Sequence, residues 1–377
     1  MIDVIIPVYK GARETRRCLA SVLASAQRVS FEVVVVDDAS PDSEITAFVD
    51  ELAAAGRITL VRNESNAGFV RSVNRGMALH ADRDVVLLNS DTEVANDWLD
   101  RLHASASRGP DVGTATPFSN NATICTYPFR GWTGGMPGTL GLATVDRLFA
   151  AVNGGKSVEL PTAVGSCMYI RRACLEAIGP FDAERFGRGY GEENDFCLRA
   201  AKAGWQHVLA GDVFIFHEGA VSFSDERSAR ANAAEQALLD VHPDYLRLVR
   251  EFVLRDPASA LRDAVDLARA ALGVEEAHDV LAERAAHRAQ LARRLGEVEA
   301  LADERAVLIA KLESALAHAE AVVAERNAAI REWNEEIARL RGGLAHAETL
   351  AFERGAELDR IRGSWVGRYV AFLLRKF

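Results

Sequence analysis

A chain of 377 residues with 49% hydrophobic content can bury a sizeable core and form one large domain or two, with extensions. Its net charge of −10 speaks against general nucleic-acid binding, which needs an excess of Lys and Arg over the phosphates contacted. Cys18, Cys125, Cys167, Cys174 and Cys197 are odd in number and lack metal-pair spacing, so reduced, buried cysteines of a cytoplasmic protein are expected.

The first expected strand, Val4–Val8, follows Met1 so closely that no room is left for a signal peptide. No apolar run reaches the length of a bilayer span. Further strands are expected at Phe31–Val36, Ile58–Val61, Asp84–Leu88, Val112–Thr116, Ala163–Ile170 and Val213–Phe216. Helical spacing fills the intervals at Thr15–Ala26, Ser43–Ala55 and Val70–His80. This alternation predicts an α/β fold, a mostly parallel sheet with helices on both faces, over residues 1–255. Residues 120–156 are rich in Gly, Thr and Pro and are expected to form long loops at the sheet edge, a substrate-facing lid.

Gly187–Arg199 packs Glu192, Glu193 and Asp195 into four positions at the start of a helical pattern. Charged carboxylates so close repel one another, and a metal ion, a cationic substrate or a shared proton would offset that. The plain alternative is a helix start, where the dipole favours acids.

Beyond Pro257 the chain turns to Ala, Glu, Arg and Leu. Residues 256–290 are expected to be a helical linker and 291–362 a coiled coil. One seam position reads Leu295, Ala302, Ile309, Leu316, Val323, Ile330, Ile337, Leu344, Ala351, Leu358. The other reads Leu291, Val298, Arg305, Leu312, Ala319, Arg326, Trp333, Leu340, Ala347, Arg354, Ile361. A homo-oligomer, a spacer to partner enzymes or a single solvated helix would each fit. Gly342-Gly343 falls outside the seam and softens the helix by roughly 2 kcal/mol. Residues 363–377 are a basic, aromatic, amphipathic tail that could lie on an anionic membrane, cap the coil or dock on the first domain.

Polar clusters fall at the carboxyl ends of the strands, where open α/β sheets bind ligands. They are Pro7-Val8-Tyr9, Asp37-Asp38-Ala39-Ser40, Asn89-Ser90-Asp91 and His217-Glu218. A carboxylate at Asp91 and an imidazole at His217, with coordination positions left over for phosphate oxygens, suit Mg2+ or Mn2+. Glu193 could take a proton from an attacking hydroxyl.

Carried by these segments in this order, together with Asn66-Ala-Gly-Phe and Asn74-Arg-Gly76, residues 1–225 resemble the family 2 glycosyltransferases with a Rossmann-like GT-A domain. The likeness is nearest to the bacterial surface-polysaccharide branch of rhamnosyl- and galactofuranosyltransferases. The resemblance implies a nucleotide pocket lined by Pro7, Tyr9 and Asp38, with Asn66 and Asn74 in its neighbourhood. It places Asn89 at the first position of the metal motif, Asp91 and His217 on the metal, and Glu193 as general base, with Glu192 and Asp195 supporting it or binding acceptor hydroxyls. Asn89 stands where the family usually has Asp, and Glu193 where the base is most often Asp, so the choice between Glu192 and Glu193 stays open. The implied substrates are a UDP- or dTDP-linked sugar and a glycan or lipid-linked acceptor, handled in the cytoplasm or at the inner face of the plasma membrane. The competing readings are a nucleotidyltransferase, which would want a Gly-rich basic loop after the first strand, and a non-catalytic scaffold with a degenerate transferase domain.

Overall fold

The computed structural model describes every residue except 133, 188, 220–224, 376 and 377. It divides into two compact units, Met1–Arg288 and Ala289–Phe377.

The first unit is built on one mixed sheet. Its strands are β1 (Ile2–Val8), β2 (Phe31–Asp37), β3 (Thr59–Arg62), β4 (Asp84–Leu88), β5 (Thr92–Glu93), β6 (Val112–Ser119), β7 (Ser157–Leu160), β8 (Cys167–Ile170) and β9 (Gln206–His217). Their order is β3-β2-β1-β4-β8-β6-β9-β5, with β7 on β9. The β3-β2-β1-β4 half is wholly parallel. β8 then runs antiparallel between β4 and β6, and β6 returns to a parallel pairing with β9. The central strands are apolar at nearly every position because helices cover both faces. Val4, Ile6, Val33, Val35, Val86 and Leu88 enter one core with α1 (Ala12–Ala24), α2 (Ser43–Ala54) and α4 (Trp98–Ala106). Ile5, Val34, Val36, Val85 and Leu87 enter the other with α3 (Phe69–Met77), α6 (Arg172–Ile178) and α7 (Glu192–Lys202). That split is the period-two alternation of a strand. On α3, Gly76 lets the helix lie against β1, since a Cβ there would come within 2.6 Å of Ile5.

The short strands β5 and β7 were not expected, and β8 starts at Cys167 and not at Ala163; three further departures are larger. Residues 120–156 are not loop throughout, because α5 (Leu142–Asn153) crosses them. Val145 and Phe149, one turn apart, are fully buried, and Phe149 packs against Phe118 and Phe214. Glycines at both ends, Gly141 and Gly154, hid the helix in a Gly-rich composition. The last strand runs Gln206–His217 rather than starting at 213, with an irregular register against Pro117–Phe118. Finally, the first unit continues past 255 through the expected linker. α8 (Asp225–Val241), α9 (Tyr245–Arg255), α10 (Ser259–Ala270) and the opening turns of α11 (Val274–Gly363) belong to it. Arg269, fully buried on α10, bonds Glu276 at 3.0 Å, Glu283 at 2.7 Å and the Tyr127 hydroxyl at 3.1 Å. Glu276 accepts from the Thr139 N–H at 3.1 Å and Glu283 from the Gly138 N–H at 2.9 Å. The charges are thus all partnered, the condition for keeping them buried.

The second unit is the remainder of the 90-residue α11 and α12 (Trp365–Leu374). Ser364 separates them and accepts from the Gly367 N–H at 3.1 Å as an N-cap. The apolar seam positions of α11 are exposed along its length. Among the described residues, no helix is long and apolar enough to cross a membrane.

Candidate active site

A crevice of about 1030 Å³ opens at the carboxyl ends of β1, β2 and β4. Pro7, Tyr9, Asp38, Asn66, Asn89 and Asp91 all line it, so six expected residues come together. The strand ends converge because β1 lies between β2 and β4 in register, Val8 opposite Asp37 and Ile5 opposite Leu87.

Asp38 is nearly buried and shapes the wall. Its Oδ1 accepts from Asn63 Nδ2 at 2.8 Å and the Ala67 N–H at 2.7 Å, and its Oδ2 from the Gly68 N–H at 2.9 Å. Gly68 sits at φ +87°, a left-handed conformation that suits glycine, and starts α3. The carboxylate thereby fixes the turn that brings Asn66 to the crevice. Neighbouring Asp37 points into the fold, paired with Arg62 at 2.8 Å.

Asp91 and His217 meet because of a strand the sequence did not disclose. The two-residue β5 pairs with β9, placing Thr92 opposite His217, and the Glu218 N–H donates to the Asp91 carbonyl at 3.0 Å. The Asp91 Oδ1 lies 3.3 Å from His217 Nε2. His217 Nδ1 is 2.8 Å from the Asn121 carbonyl. A carbonyl only accepts, so Nδ1 carries a hydrogen and Nε2 is the nitrogen turned to the carboxylate. This is the arrangement of a metal-ligating imidazole oriented by a backbone carbonyl. Two ligand atoms at right angles on one octahedral ion, each at ~2.1 Å, would lie ~3 Å apart, so this pair fits Mg2+ or Mn2+.

Asn120 sets this geometry and was missed in the sequence. Buried at 1% exposure, it accepts from the His217 N–H at 2.7 Å and donates to the His217 and Gly134 carbonyls, both at 3.0 Å. Its signal was the Asn120-Asn121 pair at the end of β6, on the same edge as the other clusters. Lys10 and Arg13, which line the crevice with Glu218, were also unforeseen. Glu218 is held by Arg17 at 2.9 Å and Arg13 at 3.4 Å.

The three acids of α7 separate into distinct roles. Glu192 is buried, and its Oε2 has no hydrogen-bond partner among the described residues. Burial, then the charge of Glu193, pushes its carboxyl up to about 8. Glu193 is half-buried and its carboxyl is likewise raised, chiefly by burial, against opposing backbone hydrogen bonds. A Cβ on Gly165 would sit 3.6 Å from its side chain, and the next residue's carbonyl, on Ser166, accepts from the Asn89 N–H at 3.0 Å. One turn thus touches both Glu193 and the metal motif. Asp195 faces elsewhere: it bonds Arg199 at 2.8 Å and His242 at 2.9 Å, tying α7 to the helices that follow β9. Asn74 stands on the helix that starts at the crevice. It does not line the crevice but grips the Phe181 backbone from both sides, at 2.8 Å and 3.1 Å.

With this geometry in place, residues 3–179 match the family described as glycosyl transferase family 2. The chain resembles that family over this segment, a little under half of its length. Its mixed, largely parallel sheet is GT-A-like, and the matched residues include Pro7, Asp38, Asn66, Asn89 and Asp91, whereas Glu193 and His217 lie beyond them. An N-acetylglucosaminyl-diphospho-decaprenol L-rhamnosyltransferase of Mycobacterium tuberculosis is 24% identical over 280 residues, 68% of this chain and 89% of its own length. A glycosyltransferase of Haloferax volcanii, AglE, is 24% identical over 217 residues, 57% of this chain and 66% of its own. A mannosyltransferase from Pyrobaculum calidifontis, solved in complex with GDP-Man and Mn2+, shares 21% identity at a TM-score of 0.46, covering 76% of this chain and 79% of that one.

Proposed function

We propose that this protein is an inverting, metal-dependent glycosyltransferase. It would move a sugar from a UDP- or dTDP-linked donor to a hydroxyl of a glycan or lipid-linked acceptor in cell-surface glycan synthesis, on the cytoplasmic side. The observation that carries the reading is the Asp91–His217 pair, 3.3 Å apart at the rim of the crevice, with His217 oriented by Asn121. The rhamnosyltransferase relative supports the sugar class and the lipid-linked acceptor.

Held by Asp91 and His217, Mg2+ or Mn2+ would supply Lewis-acid neutralisation of the departing diphosphate. The chain's own groups do the rest. Pro7, Tyr9 and Asn66 wall the pocket for base and ribose, with Asp38 holding that wall rigid. Glu193 accepts the proton of the attacking hydroxyl, and burial raises its basicity towards the operating pH. Glu192 is raised as well, so the adjacent pair favours sharing a proton over carrying two negative charges. Asp195 and His242 keep α7, and with it Glu193, in place.

Glu193→Gln should lower turnover by roughly 100-fold or more with a matched donor and acceptor while leaving donor binding intact. Full turnover in that variant would reject the base assignment. A thermal-shift screen of nucleotide sugars with Mn2+ identifies the donor.

We also infer that the exposed seam of α11 pairs with a second copy of the chain. The α12 tail, with Trp365, Tyr369 and Leu373 exposed beside Arg368, suits the surface of an anionic membrane. Co-sedimentation with phosphatidylglycerol vesicles, lost when the chain stops at residue 363, tests the tail.

A further inference from the structure

The seam of α11 carries more information than an apolar stripe. Its two core positions differ in composition. The first, from Leu295 to Leu358, has no charged residue, and its only small residues are Ala302 and Ala351. The second, from Leu291 to Ile361, carries Arg305, Arg326 and Arg354, the one bulky aromatic Trp333, and the small residues Ala319 and Ala347. All of these lie within one continuous helix, and the large apolar ones among them are exposed.

A parallel pair would stack each position on its own copy. Arg305, Arg326 and Arg354 would then each meet themselves across the seam, as would Trp333 and every one of the four alanines. Like charges would be forced together in three layers, and facing alanines would leave gaps in four more. An antiparallel pair instead sets each first position against a second position of the partner. With the overlap at its longest, the two-fold axis falls at residue 328. Arg305 then faces Ala351, Arg354 faces Ala302, and Arg326 faces Ile330. The small residues find large partners too: Ala319 meets Ile337 and Ala347 meets Ile309. No arginine meets an arginine and no alanine an alanine. An alanine opposite an arginine leaves room for the methylene stem to bend and its charge to reach water.

Flanking charges pull the other way. Arg294 with Glu299, Glu336 with Arg341 and Glu357 with Arg362 would each attract across a parallel pair. Such pairs are solvent-exposed and contribute little, whereas charges trapped in a seam and unfilled layers act at every affected turn. The core therefore decides the orientation.

We propose that the occupant of the α11 seam is a second copy of this chain running antiparallel, centred near residue 328. The interface is isologous and closes as a dimer. The two residue-291 ends of the paired seam then lie on the order of 100 Å apart, so the dimer holds its two stalk origins at opposite ends of the rod and not side by side. This rests on self-association of the coil and is independent of the glycosyl-transfer reading.

The test uses the full chain with spin labels at Ala328→Cys or His346→Cys, both outside the seam. The five native cysteines are buried and do not compete for the label. Antiparallel pairing gives a short label-to-label distance at 328 and an axial separation of ~54 Å at 346. A short distance at both sites means a parallel pair and overturns the orientation, and absence of any distance with a monomeric mass overturns the pairing itself. The double variant Ala302→Glu with Ala351→Glu gives an independent sign. It should tighten the dimer several-fold by placing acids against Arg354 and Arg305 of the partner, and weakening would contradict the proposal.

Discussion

Two carboxylate–imidazole pairs in the first unit show how environment decides what the same chemistry does. Asp195 and His242 lie 2.9 Å apart, with only 2% and 3% of their side chains exposed. Asp91 and His217 lie 3.3 Å apart at the edge of a crevice, 29% and 15% exposed. The hydrogens differ as well. Lys202 Nζ stands 3.1 Å from His242 Nδ1, and an ammonium can only donate, so Nδ1 accepts and Nε2–H bonds Asp195. In His217 the Asn121 carbonyl accepts from Nδ1–H, and Nε2 is turned to Asp91. One imidazole has both nitrogens engaged in holding buried helices together, whereas the other stands with its carboxylate at the more exposed edge of the crevice. A carboxylate near a histidine is therefore informative only when the second nitrogen's partner is known.

That contrast can be broken by substitution. The largest expected effect is on turnover. His217→Ala or Asp91→Ala should lower Mn2+-supported turnover by roughly 100-fold or more, measured at saturating donor. His242→Ala should leave the Mn2+ dependence alone and lower stability by about 2 kcal/mol, because a buried Asp195 loses a donor; urea denaturation reads this. A swap of these two outcomes would reverse the assignment.

Arg269→Met sharpens the difference between satisfied and exposed charge. It strands Glu276 and Glu283 in a buried setting, so a loss of about 3–5 kcal/mol is expected. Asn120→Ala should act through His217, weakening Mn2+ affinity by roughly 10-fold on top of a stability loss of about 1–3 kcal/mol from the stranded backbone groups. Equal affinity in both proteins would make Asn120 a fold residue only.

Glu192 adds a pH slope to these. The folded Glu192 carboxyl is raised to about 8 from an ordinary value near 4.5, so the native state binds more protons between those values. Stability is then full below about pH 4.5 and falls as pH rises through that window, by at most ~1.4 kcal/mol per pH unit. Glu192→Gln should flatten this slope in denaturation series between pH 5 and 8.

Much of this was legible in the sequence, and the omissions have physical reasons. The strands β1, β2 and β4 are apolar throughout because both faces are covered, and their polar ends marked the crevice directly. Asp91 and His217 were placed together from residue chemistry and the family resemblance, although the strand that joins them, Thr92–Glu93, is too short to leave a periodic trace. α5 was hidden by flanking glycines, and α10 with the opening of α11 was taken for linker because a buried Arg269 looks, in sequence, like any solvated arginine. The partners of Asp195 and Asn74 were not legible for the opposite reason. Both sit in motifs near the site, yet their side chains turn to Arg199 and His242, and to the Phe181 backbone. Spacing gives the helix on which a residue stands, but not which partner its side chain takes.

The most direct measurement is Mn2+ binding by calorimetry, without sugar or acceptor, for the natural chain, His217→Ala and His242→Ala. The account predicts binding that is lost or weakened at least 10-fold in the first variant and unchanged in the second. Undiminished Mn2+ affinity after removal of the His217 imidazole would contradict it.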